Sequence, residues 1–395
     1  RTGPPGKQVI LVDHIKRDIA AIFTELADGL ETGQLGKKTK VAVIGPGSEL
    51  GEDNVMEGCK IAAARGIEVL YLGTAEAEGV TTLYCDCADD AFEKMEELLK
   101  TGEADAAVAM HYPFPIGVST VGRVVTPATG KNIYLATTTG TTSTDRVEAM
   151  VLNAVAGIAT AKADGIQEPT VGLLNLDGTR TAESILKSLK DNGYPIRFAT
   201  SGRSDGGAVM RGNDILRASQ DVLVLDSLTG NVVIKILSAF TSGGSFETVG
   251  AGYGPGVGEK MEGIVMIVSR ASGAPVIGEA IVYAASLSRG DLKATYQHEL
   301  KLAKKAGLDR ILTERRESAS AKQIGEAIVQ PPSEVVTEQI EGIDVLDLED
   351  AVQLLWSKNI YAESGMGCTG PIVRVSTANL AQAASILREG GFVSE

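Results

Sequence analysis

The sequence predicts an α/β fold in which a mostly parallel or mixed sheet lies between two layers of helices. A small α/β extension is expected at the carboxyl end. Short apolar stretches alternate with stretches of helical periodicity along most of the 395 residues. The chain is 44% hydrophobic and has 46 glycines, a balance typical of a large core with many turns. From about residue 311 the sequence becomes a charged helical stretch, which marks the start of the extension.

The first part of the chain alternates helices with strands. The predicted elements are a helix at 15–30, a strand at 40–45, a helix at 52–66, a strand at 67–73, a helix at 88–102, strands at 104–110 and 131–137, a long helix at 146–165, and strands at 170–176, 194–200 and 221–226. Because helices of this length require crossover connections, the sheet is expected to be covered on both faces.

The last part of the chain has a different character. Its predicted elements are a charged helix at 312–328, a linker QPPSE at 330–334, a helix at 348–359, a strand at 372–376 and a helix at 378–390. The predicted organisation is an N-terminal segment and helix at 1–39, a core at 40–310 and an extension at 311–395. RTGPPGKQ at the start is interpreted as a trimmed beginning and is left out of the fold.

Charge and cysteine content exclude several classes of function. A net charge of −14 disfavours nucleic acid and anionic membranes as partners. Four cysteines are too few for a disulfide framework, and the chain has neither a signal peptide nor an apolar run of about 18 residues. We therefore expect a cytoplasmic protein. The three histidines lack metal-ligand spacing, so no metal site is expected.

Two glycine-rich stretches are candidate phosphate-binding loops. Gly45 and Gly47 follow a predicted strand, and Glu52 opens the next helix, whose first N–H groups could face an anion. A tight turn without a ligand is an equal alternative. The alternate glycines of GAGYGPGVGEKMEG, residues 250–263, would allow close approach of an extended ligand or form a mobile loop, with a helix to follow.

The stretch 222–244 is the most informative. An apolar strand ends at Asp226, turns through Thr229 and Gly230, and is predicted to enter a helix at Asn231. Lys235 lies one turn further on, so an amide side chain, free N–H groups and a cation would converge on one anion. The alternative is an ordinary capped helix with a solvated lysine.

Several blocks together resemble a known family. TTTGTTSTDRVEAM, FATSGRSDG and NDILRASQDVLVLDSLTGNVVIK, with the strand LLN between them, are similar to the PlsX-type phosphate acyltransferases over roughly residues 40–310. The resemblance implies a fold akin to phosphotransacetylases and isopropylmalate dehydrogenases, usually dimeric. It also implies acyl exchange between a thioester and inorganic phosphate. By position, the phosphate would lie near Asn175, Asp226, Thr229, Gly230, Asn231 and Lys235.

The last 85 or so residues, including GMGCTGP, have no counterpart in a typical PlsX-type enzyme. A core of this kind with such an element resembles the alpha subunits of component C of glycine, betaine or sarcosine reductase complexes of amino-acid-fermenting anaerobes. That resemblance implies an acetyl group carried as a thioester and released to phosphate as acetyl phosphate. It implies a thiolase-like beta subunit and a selenoprotein as partners, phosphate as co-substrate, and no covalently bound cofactor.

The same resemblance implies that Cys368 in GMGCTGP is the acetyl-bearing thiol, and the glycine-rich stretch could supply backbone N–H groups beside the sulfur. An inert half-buried cysteine is the alternative. His111, after the strand 104–110, is the candidate general base, or else an ordinary hydrogen-bonded histidine. The hydroxyls of 137–144 are expected to cap a helix rather than to hold phosphate oxygens.

The remaining cysteines carry weaker predictions. Cys85 and Cys87 would share one face of an extended segment, as a redox pair or half a metal site, whereas Cys59 is expected in the core.

Three other functions stay open. The chain could be a standalone phosphate acyltransferase that uses coenzyme A or acyl carrier protein, with Cys368 structural. It could be a non-catalytic assembly subunit. A dehydrogenase is the least supported, because no dinucleotide fingerprint is present.

Overall fold

A computed structural model describes residues 38–203, 206–324, 330–344, 347–367 and 370–393, together with residues 23, 24, 26, 27, 29 and 30. The latter six are helical, as predicted for 15–30. The rest of that predicted helix and RTGPPGKQ lie outside the described residues. Cys368 and Thr369 do so as well, although the residues on either side of them are described.

The described chain contains one large sheet of twelve strands. They are β1 (Lys40–Ile44), β2 (Glu68–Gly73), β3 (Thr81–Tyr84), β4 (Ala106–Ala109), β5 (Ser119–Val125), β6 (Asn132–Ala136), β7 (Thr170–Leu174), β8 (Arg197–Phe198), β9 (Val209–Met210), β10 (Val222–Val224), β11 (Gly254–Val257) and β12 (Val265–Ile267). Their order is β3-β2-β1-β4-β12-β11-β5-β6-β10-β7-β8, with β9 paired to β7.

The sheet consists of two parallel blocks that run in opposite directions. Strands β3, β2, β1, β4 and β12 form the first block, and β6, β10, β7, β8 and β9 form the second. Between them, β11 and β5 pair antiparallel with each other and with their other neighbours. Strands β4 and β6 therefore run in opposite directions, and their carboxyl ends lie at opposite ends of the strands of the sheet.

Helices cover both faces of this sheet, as the α/β/α prediction requires. They are α1 (Glu52–Ala63), α2 (Ala88–Thr101), α3 (Arg146–Ala163), α4 (Thr179–Asp191), α5 (Gly212–Arg217), α6 (Ser227–Ala239), α7 (Ala274–Arg289), α8 (Leu292–Lys305) and α9 (Leu308–Ile324). Successive strand residues point to opposite faces, so Val41 and Val43 pack with α1 and α7, whereas Ala42 and Ile44 pack with α2. No helix within the described ranges combines the length and the apolar character that a bilayer crossing requires.

The carboxyl part of the chain builds a second, small sheet with its own core. Strands β13 (Glu338–Glu341), β14 (Ala362–Gly367) and β15 (Gly370–Val375) pair antiparallel in the order β13-β15-β14. Helices α10 (Leu348–Ser357) and α11 (Leu380–Glu389) pack against it. Residues 330–337 carry no helix or strand. The predicted boundary at 310 falls inside α9, whose Leu308 and Leu312 belong to the large core.

The small sheet and α9 contact the main fold at the carboxyl edge of the second block. The buried carboxylate of Asp344 accepts a hydrogen bond from the Gly178 N–H at 2.8 Å, at the start of α4. Arg315 of α9 pairs with Asp145 at 2.7 Å, at the start of α3. Burial alone would raise the pKa of Asp145, but the Glu148 N–H and Arg315 lower it below its usual range. The carboxylates of Asp344 and Asp145 each lie at the positive end of a helix dipole, where negative charge is stabilising.

We expect Asp344→Ala to loosen this attachment. The Gly178 N–H would lose its buried acceptor, at a cost of about 1–3 kcal/mol. Thermal unfolding should begin at lower temperature, and proteases should cleave residues 330–337 faster. The control is Glu389→Ala, because Glu389 is exposed and accepts a hydrogen bond from Ser385 on the same helix. Equal cleavage of the two variants would contradict the proposed role of Asp344.

Candidate functional site

A cleft of about 280 Å³ opens where the two blocks of the sheet meet. It collects three of the residues predicted from the sequence, His111, Asn231 and Lys235. Their neighbours in the lining are Met110, Tyr112, Phe114, Thr139, Tyr253, Ile267, Val268 and Ser269. His111 follows β4, whereas Asn231 and Lys235 lie on α6, which follows β10 at the opposite edge. A 13-residue helix is about 20 Å long, so α6 carries its side chains across the face of the sheet towards β4.

The electrostatic character of the cleft suits an anion. Among the described residues that line it, Lys235 alone carries a formal positive charge, and none is a carboxylate. The chain as a whole has a net charge of −14, so this local excess of positive charge departs from its surroundings. The hydroxyl and amide groups of Thr139, Asn231 and Ser269 add hydrogen-bonding capacity for phosphate oxygens.

Helix α6 begins at Ser227, and the prediction that it begins at Asn231 is wrong. Asp226 is its N-cap, and one carboxylate oxygen accepts a hydrogen bond from the Thr229 N–H at 2.8 Å. The Gly230 N–H bonds to the Asp226 carbonyl within the helix, so the uncapped N–H groups belong to Ser227 and Leu228. Asn231 and Lys235 therefore contribute their side chains to the cleft, whereas the N–H groups at the start of α6 do not line it.

Gly230 allows α6 to approach the loop after β6. A Cβ atom at this position would overlap the carbonyl oxygen of Thr137. That oxygen belongs to the backbone and cannot easily shift to make room. One residue further, the Asn231 side-chain amide donates to the Thr138 carbonyl at 3.3 Å. Asp226, Thr229 and Gly230 thus fix the position of the helix, and Asn231 and Lys235 face the cleft.

Gly230→Ala is expected to destabilise the protein by at least about 2 kcal/mol, because the new methyl group must displace backbone. Gly212→Ala is the control: Gly212 is exposed at the start of α5, and a Cβ there would meet nothing within 4 Å. The control should change the free energy of unfolding by no more than about 1 kcal/mol. Chemical denaturation of both variants measures the difference. Equal stability of the two would show that the contact with Thr137 is unimportant.

A second cavity of about 240 Å³ lies at the start of α6. Its lining combines the hydroxyl-rich loop with the two helix starts and consists of Thr137, residues 140–144, Arg146, Ala149, Met150, Asn153, Leu225, Asp226, Ser227 and Leu228. The loop 137–140 separates the two cavities, since Thr139 lines the first while Thr137 and Gly140 line the second. Helix α3 is capped by Asp145, whose side chain accepts from the Glu148 N–H, so no hydroxyl of 137–144 is its N-cap.

The other predicted phosphate residues lie away from the cleft lining. Asn175 is exposed after β7, on the loop whose Gly178 contacts Asp344. Gly45 is buried against the Tyr71 ring, and Gly47 is exposed with φ of 102°.

Helix α1, which follows the loop of Gly45 and Gly47, has a carboxylate in its first turn. Glu52 accepts hydrogen bonds from the Tyr71 hydroxyl at 2.6 Å and the Thr74 N–H at 3.1 Å. Although burial acts to raise the pKa of Glu52, these bonds lower it. A negative side chain in the first turn of α1 favours the tight-turn interpretation of this loop.

The stretch 250–263 differs from both sequence interpretations. Gly254–Val257 is the buried strand β11, and no helix follows it at 259–263. A Cβ at Gly254 would overlap the Val121 carbonyl of β5, so the close approach is made by another strand. Glycines leave no side-chain pattern by which the sequence could have indicated a strand.

The cysteines are separated. Cys59 is buried on α1, as predicted, and burial raises the pKa of its thiol to about 12. Cys85 is buried and Cys87 is exposed as the N-cap of α2, so the prediction that they share one face is wrong. The described residues contain no group of three or more His, Cys, Asp or Glu side chains suited to a metal ion.

Ser269 and Tyr253 line the cleft but were not identified from the sequence. Ser269 comes just after β12, at the same edge as His111, and its hydroxyl accepts from the Ala271 N–H at 3.1 Å. Tyr253 donates to the buried Glu247 at 3.0 Å, and burial raises the pKa of its hydroxyl. A polar residue directly after the apolar stretch IVMIV was the available signal for Ser269.

Comparison with known proteins gives a consistent set of relatives. Residues 39–374 match the family model described as "Fatty acid synthesis protein". The glycine/sarcosine/betaine reductase complex component C subunit alpha of Peptoclostridium acidaminophilum is 50% identical over 96% of this chain and 99% of its own. A phosphate acyltransferase of Thermus thermophilus is 28% identical over 50% of this chain and 70% of its own.

Among solved structures, a branched-chain phosphotransacylase from Enterococcus faecalis matches with a TM-score of 0.46 and 16% identity, over 63% of this chain and 99% of that one. The resemblance inferred from GMGCTGP and the core motifs is confirmed by the 50% identity over nearly the whole chain. The chain belongs to the fatty acid synthesis protein family and, within it, to the alpha subunits of component C of glycine/sarcosine/betaine reductase complexes.

Proposed function

We propose that this chain carries an acetyl group as a thioester on Cys368 and transfers it to inorganic phosphate, with release of acetyl phosphate. Phosphate binds in the cleft, against Lys235 and the side-chain amide of Asn231. His111 is the general base. The observation that supports this proposal most strongly is the cleft itself, in which His111 meets Asn231 and Lys235 from a distant part of the sequence without a carboxylate among the described lining residues.

The reaction requires one bond to form and one to break. A phosphate oxygen attacks the carbonyl carbon of the thioester, the new C–O bond forms, and the C–S bond breaks. The proton of hydrogen phosphate passes to His111 and then to the departing Cys368 thiolate, so no other reactant is consumed. Lys235 stabilises the negative charge of phosphate as it is held in line with the carbonyl.

The attachment of the carboxyl part supports a role for its thiol. Asp344 and Arg315 contact the starts of α4 and α3, beside the second cavity, and Arg146 of that cavity lies 3.3 Å from Asp177 in the loop before α4. In sequence, Cys368 lies between β14 and β15, which belong to the unit that Asp344 attaches. We propose that the acetyl group travels past the loop 137–140 to reach the cleft.

Assembly and location are part of the same proposal. The Peptoclostridium relative is named as one subunit of a reductase complex. We propose, as the sequence resemblance implies, that the partners of this chain are a thiolase-like beta subunit and the selenoprotein of such a complex. The acetyl group would originate from glycine, betaine or sarcosine. We propose a cytoplasmic protein that works as a homodimer within this complex.

A standalone phosphate acyltransferase is the second candidate. The phosphate acyltransferase of Thermus supports it, and so does the position of the cleft, which lies within the core. In this alternative the acyl donor is a thioester of coenzyme A or acyl carrier protein, and Cys368 takes no part.

Isotope exchange between labelled phosphate and acetyl phosphate separates these functions. The purified full-length chain is incubated with both, with and without coenzyme A. Our proposal predicts exchange without coenzyme A, because the protein thiol accepts the acetyl group and returns it. Exchange that depends on coenzyme A would support the standalone acyltransferase. No exchange under either condition would contradict both catalytic functions and favour a non-catalytic assembly subunit.

A further inference from the structure

A buried carboxylate lies behind the wall of the cleft. Glu247 is 5% exposed and belongs to the lining of an adjoining groove of about 720 Å³, which shares Lys235 and Ser269 with the cleft. One of its carboxylate oxygens accepts a hydrogen bond from the Tyr253 hydroxyl at 3.0 Å, and the other accepts from the Ser272 hydroxyl at 2.8 Å. Both oxygens therefore act as acceptors, as those of an ionised carboxylate do.

These hydrogen bonds fix the direction in which the hydroxyl groups of the wall point. Tyr253 has one hydroxyl hydrogen and donates it to Glu247, so its oxygen can only accept from other groups. Burial and the negative charge of Glu247 raise the pKa of Tyr253, whereas a hydrogen bond from the Ser269 hydroxyl acts to lower it. The Ser269 hydrogen is therefore directed at Tyr253. The Ser269 oxygen accepts from the Ala271 N–H at 3.1 Å and keeps one lone pair for a ligand.

The sheet places this acceptor beside the candidate general base. Strands β12 and β4 are parallel neighbours, and their register pairs Ile267 with Ala109. Ser269 and His111 each follow two residues later, so they lie at adjacent strand ends. Lys235 reaches the same cleft from α6. The cleft thus combines a cation that attracts an anion with a wall that can only accept hydrogen bonds.

We propose that this wall accepts a hydrogen bond from a protonated oxygen of the bound anion, so that the cleft selects hydrogen phosphate over anions of the same shape and charge without a proton, such as sulfate. The proposal rests on the proposed function, in which phosphate binds in this cleft. Ser269 contacts the anion, and Tyr253 and Glu247 are positioning residues. Sulfate would place its lone pairs against the remaining lone pair of Ser269, an unpaired polar contact that opposes binding.

This selection also prepares phosphate for the reaction. When the protonated oxygen is held at Ser269, an unprotonated oxygen is left to attack the thioester carbonyl. As the new C–O bond withdraws negative charge from phosphate, the proton passes to His111 at the adjacent strand end, and from there to the departing thiolate.

The test is a comparison of dissociation constants for inorganic phosphate and sulfate, measured by calorimetry on the purified full-length chain. Mildly alkaline pH and constant ionic strength make both anions divalent and equally screened. Wild type should bind phosphate at least about 100-fold more tightly than sulfate, because a site built for a hydrogen-bond donor rejects an analogue that lacks it. Hydrogen arsenate retains a proton and should bind as phosphate does.

Tyr253→Phe should reduce the preference for phosphate to about tenfold or less, because the Ser269 hydrogen loses its acceptor and can turn towards sulfate. The matched control is Tyr194→Phe. Tyr194 donates to the buried Glu299 at 3.1 Å, and neither residue lines the cleft. The control loses the same kind of buried hydrogen bond and should keep the wild-type preference, so a purely structural role of Tyr253 would make the two variants alike.

Two results would overturn the proposal: equal affinity of wild type for the two anions, or an unchanged preference in a Tyr253→Phe variant with intact circular dichroism. If that variant does not fold, Glu247→Gln provides the second measurement. Glutamine has one acceptor oxygen for two hydroxyls, and Ser272 already accepts from the Ser269 N–H at 3.0 Å, so the new N–H should face Tyr253. The hydroxyl hydrogens would then be released towards the cleft and the preference should fall at least about tenfold. An unchanged preference in this variant would also contradict the proposal.

These measurements record binding and do not depend on acetyl transfer. Equal binding of phosphate and sulfate would remove the selection and leave the proposed function intact. A chain that prefers phosphate but exchanges no acetyl group would contradict the proposed function alone. If neither anion bound, the cleft would not be the phosphate site and both proposals would be wrong.

Discussion

Cys368→Ala is expected to reduce the formation of acetyl phosphate by the assembled reductase at least about 1,000-fold. Without the thiol no acetyl thioester forms on this chain, and phosphate has no acyl donor in the cleft. The expected loss is in kcat, because binding of phosphate to Asn231 and Lys235 does not require the sulfur. Initial rates at saturating phosphate measure it directly.

The control for this variant is Cys87→Ala. Cys87 is exposed at the start of α2, and its thiol accepts a hydrogen bond from the Asp90 N–H at 3.5 Å. Its removal should leave the rate within about twofold, since surface changes away from a site have small effects. If Cys368→Ala also retained full activity, the thiol would be structural, and the acyl donor would be coenzyme A or acyl carrier protein.

Lys235→Gln is expected to lower kcat/KM for phosphate by about 100- to 1,000-fold, the range found when one stabilising group is removed from a preorganised site. The cleft would then contain no formal positive charge among its described lining residues. Most of the effect should appear in KM for phosphate, because Lys235 contacts phosphate both before and during the reaction. Steady-state rates over a range of phosphate concentrations provide both constants.

Lys301→Gln makes the same change in net charge at a distant position. Lys301 is exposed on α8, outside the cleft lining. If the net charge of −14 alone governed the approach of phosphate, both variants would be affected equally. Our account predicts a normal KM for Lys301→Gln. A normal KM for Lys235→Gln as well would exclude the cleft as the phosphate site.

The sequence predicted the layers of the fold better than its connections. The runs around Val41, Val69 and Val171 are apolar strands between helices, and their pattern alone indicates buried parallel strands. The reversal of the second block depends on β5 and β11, which pair across the middle of the sheet. Strand β11 is Gly-Pro-Gly-Val and has no alternation from which a strand could be inferred.

The arrangement of the candidate site could not be predicted from the sequence. His111, Asn231 and Lys235 were singled out separately, and only the structure brings His111 into one cleft with the other two. The expected cluster around Asp226 is divided, because α6 starts four residues earlier than predicted. The sequence Asp-Ser-Leu-Thr at 226–229 contained a clear N-cap signal for that start. Ser269 lies in the cleft because β12 pairs with β4. A pairing between strands so far apart cannot be inferred from local sequence.

The most direct test of the central claim is to locate the acetyl group on the protein. The full-length chain is incubated with acetyl phosphate, and its intact mass and peptides are measured before and after treatment with hydroxylamine or inorganic phosphate. Our account predicts one acetyl group per chain, on the peptide that contains Cys368, removed by hydroxylamine and discharged by phosphate. An acetyl group on another residue, or an acetyl-Cys368 that phosphate does not discharge, would contradict it.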